Sequence, residues 1–169
     1  RAGPLRLLVV GGSLGAQGLN ERVPAAIARM PAVARPQVVH QAGAKHIDAL
    51  ARAYRDAGVE AECVAFIDDM ASRYAWADFA IARGGALTVS ELAAVGLGAL
   101  IVPLPGAIAD EQTANADFLV RAGGAIRIAQ DELDAGRLAS LLSSLDRPKA
   151  LAMATAAGAV GRTDATDRV

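Results

Sequence analysis

The 169-residue sequence is poor in the residues that mark several large classes of protein. It has a single cysteine, Cys63, so no disulfide can form within the chain, which fits a reducing compartment. It has only two histidines, and no Cys, His and carboxylate residues are spaced as in a metal site. The formal net charge of −1 argues against a broad nucleic-acid-binding surface. Pro103 and Pro105 interrupt the longest apolar stretch, residues 99–109, so no membrane span or signal peptide is expected.

Aromatic residues make up only 4% of the sequence and hydrophobic residues 53%, so aliphatic side chains must build the core of what we expect to be one domain. Apolar runs alternate with helical patterns along the chain. The predicted strands are Leu5–Val10, Gln37–Gln41, Ala61–Phe66, Asp78–Ala82, Ala99–Val102 and Ala125–Ala129. This alternation predicts an α/β fold with a doubly wound, six-stranded parallel sheet.

The stretch Arg-Gly-Gly-Ala-Leu-Thr-Val-Ser-Glu, residues 83–91, follows the fourth predicted strand and opens a helix. The amides of Ala86, Leu87 and Thr88 are expected at the helix start, where they can bind an anion. Glu91 lies one turn beyond Thr88, where a carboxylate can accept two hydrogen bonds from a vicinal diol such as a ribose. The alternative is a capping box with Thr88 as the cap and Glu91 reaching back, which is the more common arrangement for this spacing alone.

Polar residues also follow the other predicted strands, at the edge where parallel sheets bind ligands. They include Ser13, the pair Asp68–Asp69 and the amide of Gln112. Loops that converge on one edge favour a ligand with several parts, such as a nucleotide that carries a second group. The acidic pair could bind Mg²⁺, but a cap for the helix that begins at Met70 is favoured.

The glycine-rich segment at residues 11–15, Gly-Gly-Ser-Leu-Gly, lets the backbone approach a phosphate closely. It lacks the spacing of the dinucleotide fingerprint, and the second strand ends in His40-Gln41 without an acidic residue, so a dinucleotide cofactor is not expected. The segment also matches a hydrolase nucleophile elbow. That reading requires an acid and then a histidine after Ser13, and His40 and His46 fit it poorly. His40 is interpreted as a packed residue.

Five motifs occur in order: residues 11–16, Phe66–Met70, residues 74–78 (Tyr-Ala-Trp-Ala-Asp), residues 85–91, and Gln-x-x-Asn-Ala at 112–116. Together they resemble the C-terminal half of the bacterial undecaprenyl-diphospho-muramoylpentapeptide N-acetylglucosaminyltransferases, the enzymes of lipid II synthesis. The resemblance implies a Rossmann-like domain, the C-terminal half of a GT-B glycosyltransferase. Residues 1–169 would bind the donor UDP-N-acetylglucosamine (UDP-GlcNAc), and the N-terminal acceptor domain would be absent from this chain.

The resemblance also implies roles for individual residues and partners. Ser13 would contact the diphosphate, Phe66 and Ile67 the uracil, Ala86, Leu87 and Thr88 the diphosphate and nearby groups, Glu91 the ribose, and Gln112 the sugar; Arg83, Val89 and Ser90 would belong to the same substrate site. No metal or other cofactor is expected. The catalytic base and the lipid-linked acceptor would lie with the N-terminal half. The whole protein would be cytoplasmic and peripheral on the inner face of the cell membrane. The alternatives are a stand-alone UDP-sugar-binding subunit that needs a catalytic partner, or a sugar-nucleotide epimerase.

Overall fold

A six-stranded parallel sheet forms the centre of the fold in a computed structural model that describes residues 2–12, 16–106 and 109–161. The strands are β1 (Arg6–Val10), β2 (Gln37–Gln41), β3 (Glu62–Val64), β4 (Phe79–Ala82), β5 (Ala99–Ile101) and β6 (Ala125–Arg127). They lie in the order β3-β2-β1-β4-β5-β6, and all five neighbouring pairs are parallel. The predicted α/β class and parallel sheet are therefore confirmed.

Seven α-helices within the described residues connect or follow the strands. They are α1 (Gln17–Ala28), α2 (Ile47–Asp56), α3 (Met70–Trp76), α4 (Ala86–Val95), α5 (Ala109–Ala122), α6 (Ala135–Ser144) and α7 (Arg147–Ala159). Aspartate side chains cap three of them: Asp69, Asp134 and Asp146 accept hydrogen bonds from backbone amides three residues further on. The predicted cap at Asp69 is confirmed. No helix in the described ranges is both long and apolar enough to cross a membrane.

Some boundaries differ from those that the sequence pattern predicts, and a local hydrogen bond explains one of them. The helical pattern of the sequence predicts a helix over residues 132–145, but Glu132 ends a short 3-10 turn, and α6 starts only after the cap Asp134, which accepts from the amide of Arg137 at 2.7 Å. The sequence also suggests Asp110 as a helix cap, yet α5 begins at Ala109 and contains Asp110. The third strand ends at Val64 rather than at Phe66, which leaves Phe66 in the loop that follows.

Helices cover both faces of the sheet. Successive residues of a strand point to opposite faces, so each face has its own buried cluster. Leu7 and Val9 of β1 lie in one buried cluster with side chains of α1, α2 and α6. Leu8, between them, lies in a second cluster with side chains of α3, α4, α5 and α7. The central strands of the sheet therefore carry apolar side chains on both faces, as their continuous hydrophobic runs predict.

The order of the strands reverses direction at β1, which has β2 on one side and β4 on the other. Doubly wound sheets bind ligands in a crevice beyond the carboxyl ends of the two strands at such a reversal, which are β1 and β4 here. Gly11 and Gly12, which follow β1, and the turn at residues 83–85, which follows β4, border this crevice. The fold thus brings the start of one predicted motif close to the turn of another.

Candidate functional site

Gly85 caps the start of α4 with extended backbone angles (φ −61°, ψ 143°) and no side-chain hydrogen bond. The amide of Val89 donates to the Gly85 carbonyl at 3.0 Å, as the first bond of the helix. The capping-box interpretation is therefore wrong: Thr88 is the third residue of α4, and Glu91 does not reach back to it. The amides of Ala86, Leu87 and Thr88 have no acceptor among the described residues, so they remain able to bind an anion.

Glu91 accepts a hydrogen bond from another helix. The hydroxyl of Tyr74, on α3, donates to Oε2 of Glu91 at 2.7 Å. The carboxylate is thus held on the second turn of α4, and its Oε1 atom has no partner within the described part of the chain. This contact was not expected from the sequence, although Tyr74 stands in one of the motifs that carry the resemblance.

The other residues of the α4 motif differ in what they can offer a ligand. Leu87 is 73% exposed, Ser90 is exposed and Thr88 is half-buried. Val89 is only 5% exposed, because its side chain packs into the core between α4 and the sheet. Since its amide is also used inside the helix, Val89 has neither a free donor nor an open side chain for the predicted substrate contact.

Two amide side chains of α5 hold the turn that precedes α4. Gln112 accepts hydrogen bonds at its Oε1 atom from the amides of Gly84 (3.1 Å) and Leu104 (2.8 Å). Asn115 donates from its side-chain nitrogen to the carbonyl of Gly84 at 2.9 Å. The oxygen of Gln112 is therefore engaged by the backbone, and only its nitrogen can make the predicted sugar contact.

Arg83 lies almost completely buried behind this turn, at 9% exposure. Its guanidinium donates to the carbonyls of Val102 (3.2 Å) and Pro103 (3.5 Å) and to Oε1 of Gln130 (2.8 Å), while its buried Nε has no partner. Burial, and then the nearby charge of Arg22, lower the pKa of Arg83. Its recorded partners are neutral oxygens, so the positive charge contributes to the field at this edge of the sheet.

Gln41 fixes the loop after β1 from the end of β2, where it is 4% exposed. Its Oε1 accepts from the amide of Gly11 at 3.1 Å, and its Nε2 donates to the carbonyls of Gly12 (2.7 Å) and Ala65 (3.3 Å). The same side chain thus joins the loop after β1 to the segment that leads to Phe66. Ser13, predicted to contact a diphosphate, lies outside the described residues.

Phe66 and Ile67 lie between β3 and α3, at the same edge of the sheet. Phe66 is 55% exposed, whereas Ile67 is half-buried against the core. Asp69, which follows, accepts hydrogen bonds from the amide (3.1 Å) and hydroxyl (2.5 Å) of Ser72, and these bonds lower its pKa. Within the described ranges, no group of three or more His, Cys, Asp and Glu side chains could hold a metal ion.

His40 is fully buried below this edge, as the sequence predicts for a packed residue. Its Nε2 lies 2.9 Å from Oδ1 of Asn20, and its Nδ1 lies 2.6 Å from the hydroxyl of Tyr54. Since the nitrogen of Asn20 donates to the Ala42 carbonyl, its oxygen is the acceptor, which places the imidazole proton on Nε2. Burial lowers the pKa of His40 to about 3, so the ring is neutral and structural.

Comparisons with known proteins identify the family. The family model for the glycosyltransferase family 28 C-terminal domain matches residues 6–169. All of this chain aligns with UDP-N-acetylglucosamine--N-acetylmuramyl-(pentapeptide) pyrophosphoryl-undecaprenol N-acetylglucosamine transferases from Azoarcus sp. (strain BH72), at 59% identity, and from Aromatoleum aromaticum, at 56%. It covers 48% and 47% of those two proteins, so the chain spans about half the length of the curated relatives it matches.

Solved structures agree with this assignment. The crystal structure of Acinetobacter baumannii MurG superposes with a TM-score of 0.90 at 40% identity, over 97% of this chain and 50% of that one. The glycosyltransferase VinC, solved in complex with dTDP, superposes with a TM-score of 0.64 over 93% of this chain and 37% of that one. At 19% identity, VinC shows a shared fold alone. The chain belongs to the glycosyltransferase family 28 C-terminal domains.

Proposed function

We propose that this chain is the donor-binding half of an enzyme that transfers N-acetylglucosamine from UDP-GlcNAc to the muramoyl-pentapeptide lipid carrier, converting lipid I to lipid II in peptidoglycan synthesis. The observation that carries the proposal is the start of α4. Three free amides lie there, next to the point where the strand order reverses, and the carboxylate of Glu91, which accepts from Tyr74, follows on the second turn of the same helix. A nucleoside diphosphate has the matching groups, an anion next to a vicinal diol.

The proposed donor lies along the carboxyl edge of the sheet, with its uracil towards β3 and its sugar towards β5. Its uracil contacts Phe66 and Ile67 after β3, and its ribose binds Glu91. Its diphosphate binds Ser13 and the start of α4, and its sugar meets the nitrogen of Gln112 on α5. The positive charge of buried Arg83 favours the diphosphate in the middle of this path.

The same geometry accounts for how UDP leaves without a metal ion. As the bond between the sugar and the diphosphate breaks, negative charge develops on the leaving phosphate. Backbone amides at a helix start stabilise such a charge because they are already oriented and carry the positive end of the helix dipole. In this proposal, the acceptor pocket and the base belong to the remainder of the full-length protein, which is peripheral on the cytoplasmic face of the membrane.

Calorimetric titration of the 169-residue chain with UDP-GlcNAc, UDP, ADP and GDP tests this proposal. We expect UDP-GlcNAc and UDP to bind at least about tenfold more tightly than ADP or GDP, since a lost hydrogen bond to a base edge costs about 1–1.5 kcal/mol. Equal affinity for the three nucleoside diphosphates would contradict the proposed contact of uracil with Phe66 and Ile67. No binding of UDP-GlcNAc at all would overturn the function itself.

A further inference from the structure

Tyr74 reaches the candidate site from inside the protein. Its side chain is 6% exposed and packs in the same buried cluster as Leu8, Val89 and Leu92. Its hydroxyl donates to Oε2 of Glu91 at 2.7 Å, the length of a strong bond to a carboxylate. Burial, this hydrogen bond and the charge of Glu91 raise the pKa of Tyr74, so the phenol keeps its proton and remains a donor.

The bond leaves most of the carboxylate free for a ligand. An ionised carboxylate has about four lone-pair positions, of which Tyr74 occupies one. Oε1 and the second position on Oε2 can still accept the two hydroxyls of a vicinal diol. A glutamate side chain without such a partner rotates about three torsions, and a ligand that binds it must first restrict that motion.

We propose that Tyr74 is a positioning residue that holds Glu91 in the orientation that accepts the two ribose hydroxyls of the donor. It acts through Glu91 and does not itself contact the ligand. The bond also joins α3, which directly follows the proposed uracil-binding segment at Phe66 and Ile67, to α4, which carries the ribose and diphosphate contacts. The inference rests on the proposed function, because it assumes a ribose at Glu91.

The experiment compares UDP with 2′,3′-dideoxy-UDP, which lacks both ribose hydroxyls, by calorimetry on the 169-residue chain. Tyr74→Phe removes only the hydroxyl and keeps the buried ring. We expect this variant to bind UDP roughly three- to tenfold more weakly, as estimated from the cost of ordering one side chain, and dideoxy-UDP less than about twofold more weakly. In a Glu91→Ala background, Tyr74→Phe should change neither affinity, because no carboxylate remains to be positioned.

Tyr54→Phe is the matched control. Tyr54 is also a buried tyrosine, at 2% exposure, and it lies in the other core cluster. Its hydroxyl bonds to His40. Its loss should lower the melting temperature without changing the preference for UDP over dideoxy-UDP. Melting curves for all variants show whether each one is folded at the temperature of the titration.

The possible results separate the two proposals. If wild-type protein prefers UDP over dideoxy-UDP and Tyr74→Phe keeps that preference unchanged, Tyr74 only packs and the positioning role is overturned while the function stands. Equal weakening of both nucleotides by Tyr74→Phe also overturns it. If the wild-type protein binds the two nucleotides equally, the ribose contact of Glu91 fails, and the role of Tyr74 fails with it.

Discussion

Glu91 has one carboxylate oxygen bonded to Tyr74 and a second that no described residue engages. Replacement by Gln keeps the shape of the side chain and removes its charge. Since hydrogen bonds to a charged acceptor contribute about 1.5–3 kcal/mol, we expect Glu91→Gln to weaken UDP binding by about that amount. Calorimetry should show a much smaller loss with 2′,3′-dideoxy-UDP. Equal losses with both nucleotides, or none, would make Glu91 a structural residue.

We expect the free energy of unfolding to depend on pH because the ring of His40 is buried and neutral in the folded chain. In the unfolded chain a histidine binds a proton below about pH 6.5, whereas in the folded chain His40 stays neutral down to a pKa of about 3. The folded state therefore has its full stability above pH 6.5 and loses it as the pH falls towards 3. Between pH 7 and pH 5 we expect the free energy of unfolding to fall by about 2 kcal/mol, measured by urea denaturation.

Two variants assign this effect to His40. His40→Gln removes the titrating ring and should flatten the pH dependence between pH 5 and pH 7, although the variant will be less stable throughout. His46→Gln replaces the only other histidine, which is partly exposed at the cap of α2, and should keep the slope of the wild-type protein. A flat wild-type profile in this range would mean that His40 is charged or that its network opens readily.

At the scale of elements, the turn between β4 and α4 depends on its contact with α5. A Cβ on Gly84 would overlap the backbone oxygen of Gln112 and lie 3.0 Å from its carbonyl carbon. Gly84→Ala should therefore push α5 away and cost about 1–3 kcal/mol of stability. It should also weaken UDP binding, since Gly84 immediately precedes the cap of α4. Thermal unfolding and calorimetry measure the two effects.

The adjacent glycine provides the matched control. A Cβ on Gly85 would meet nothing within 4 Å, and its φ of −61° is favourable for alanine. Gly85→Ala loses only the preference of a helix cap for glycine over alanine, and should cost about 1 kcal/mol or less. If both variants lose stability equally, the close approach of α5 to Gly84 does not limit this turn.

The sequence predicts the types of these elements well because each apolar run is followed by a clear helical pattern. It does not predict which side chains fix the turns between them. Tyr74 and Glu91 are 17 residues apart, and Gln112 and Gly84 are 28 residues apart, so neither contact follows from local spacing. The Thr-x-x-Glu pattern suggests a capping box, but a glycine already caps α4. The glutamate accepts a hydrogen bond from a buried tyrosine instead. The ribose contact that the family resemblance implies for Glu91 stays a prediction.

At the scale of the whole molecule, the strand order places Gly11 and Gly12, which follow β1, and the start of α4 at one crevice. Free amides and a buried arginine supply its positive character, and no metal cluster occurs in the described ranges. We therefore expect UDP affinity to be the same in EDTA and in buffer with added Mg²⁺. A large loss on chelation would mean that Asp68 binds a cation. Asp68→Asn would then have to reproduce the loss without EDTA.

The last prediction concerns what the chain can do alone. Transfer requires a base for the acceptor hydroxyl. At the described edge, Glu91 is bonded to Tyr74, Asp69 caps α3, and buried His40 is neutral. Because the chain spans about half the length of its relatives, we expect it to bind UDP-GlcNAc without transferring the sugar.

The measurement is UDP release from UDP-GlcNAc in the presence of lipid I, with the full-length Azoarcus relative as the positive control. The chain should release UDP no faster than buffer, while calorimetry under the same conditions still detects donor binding. Release above the blank that Glu91→Gln abolishes would show that this half carries its own catalytic groups. The proposed division, with the donor on this half and the base on the other, would then be wrong.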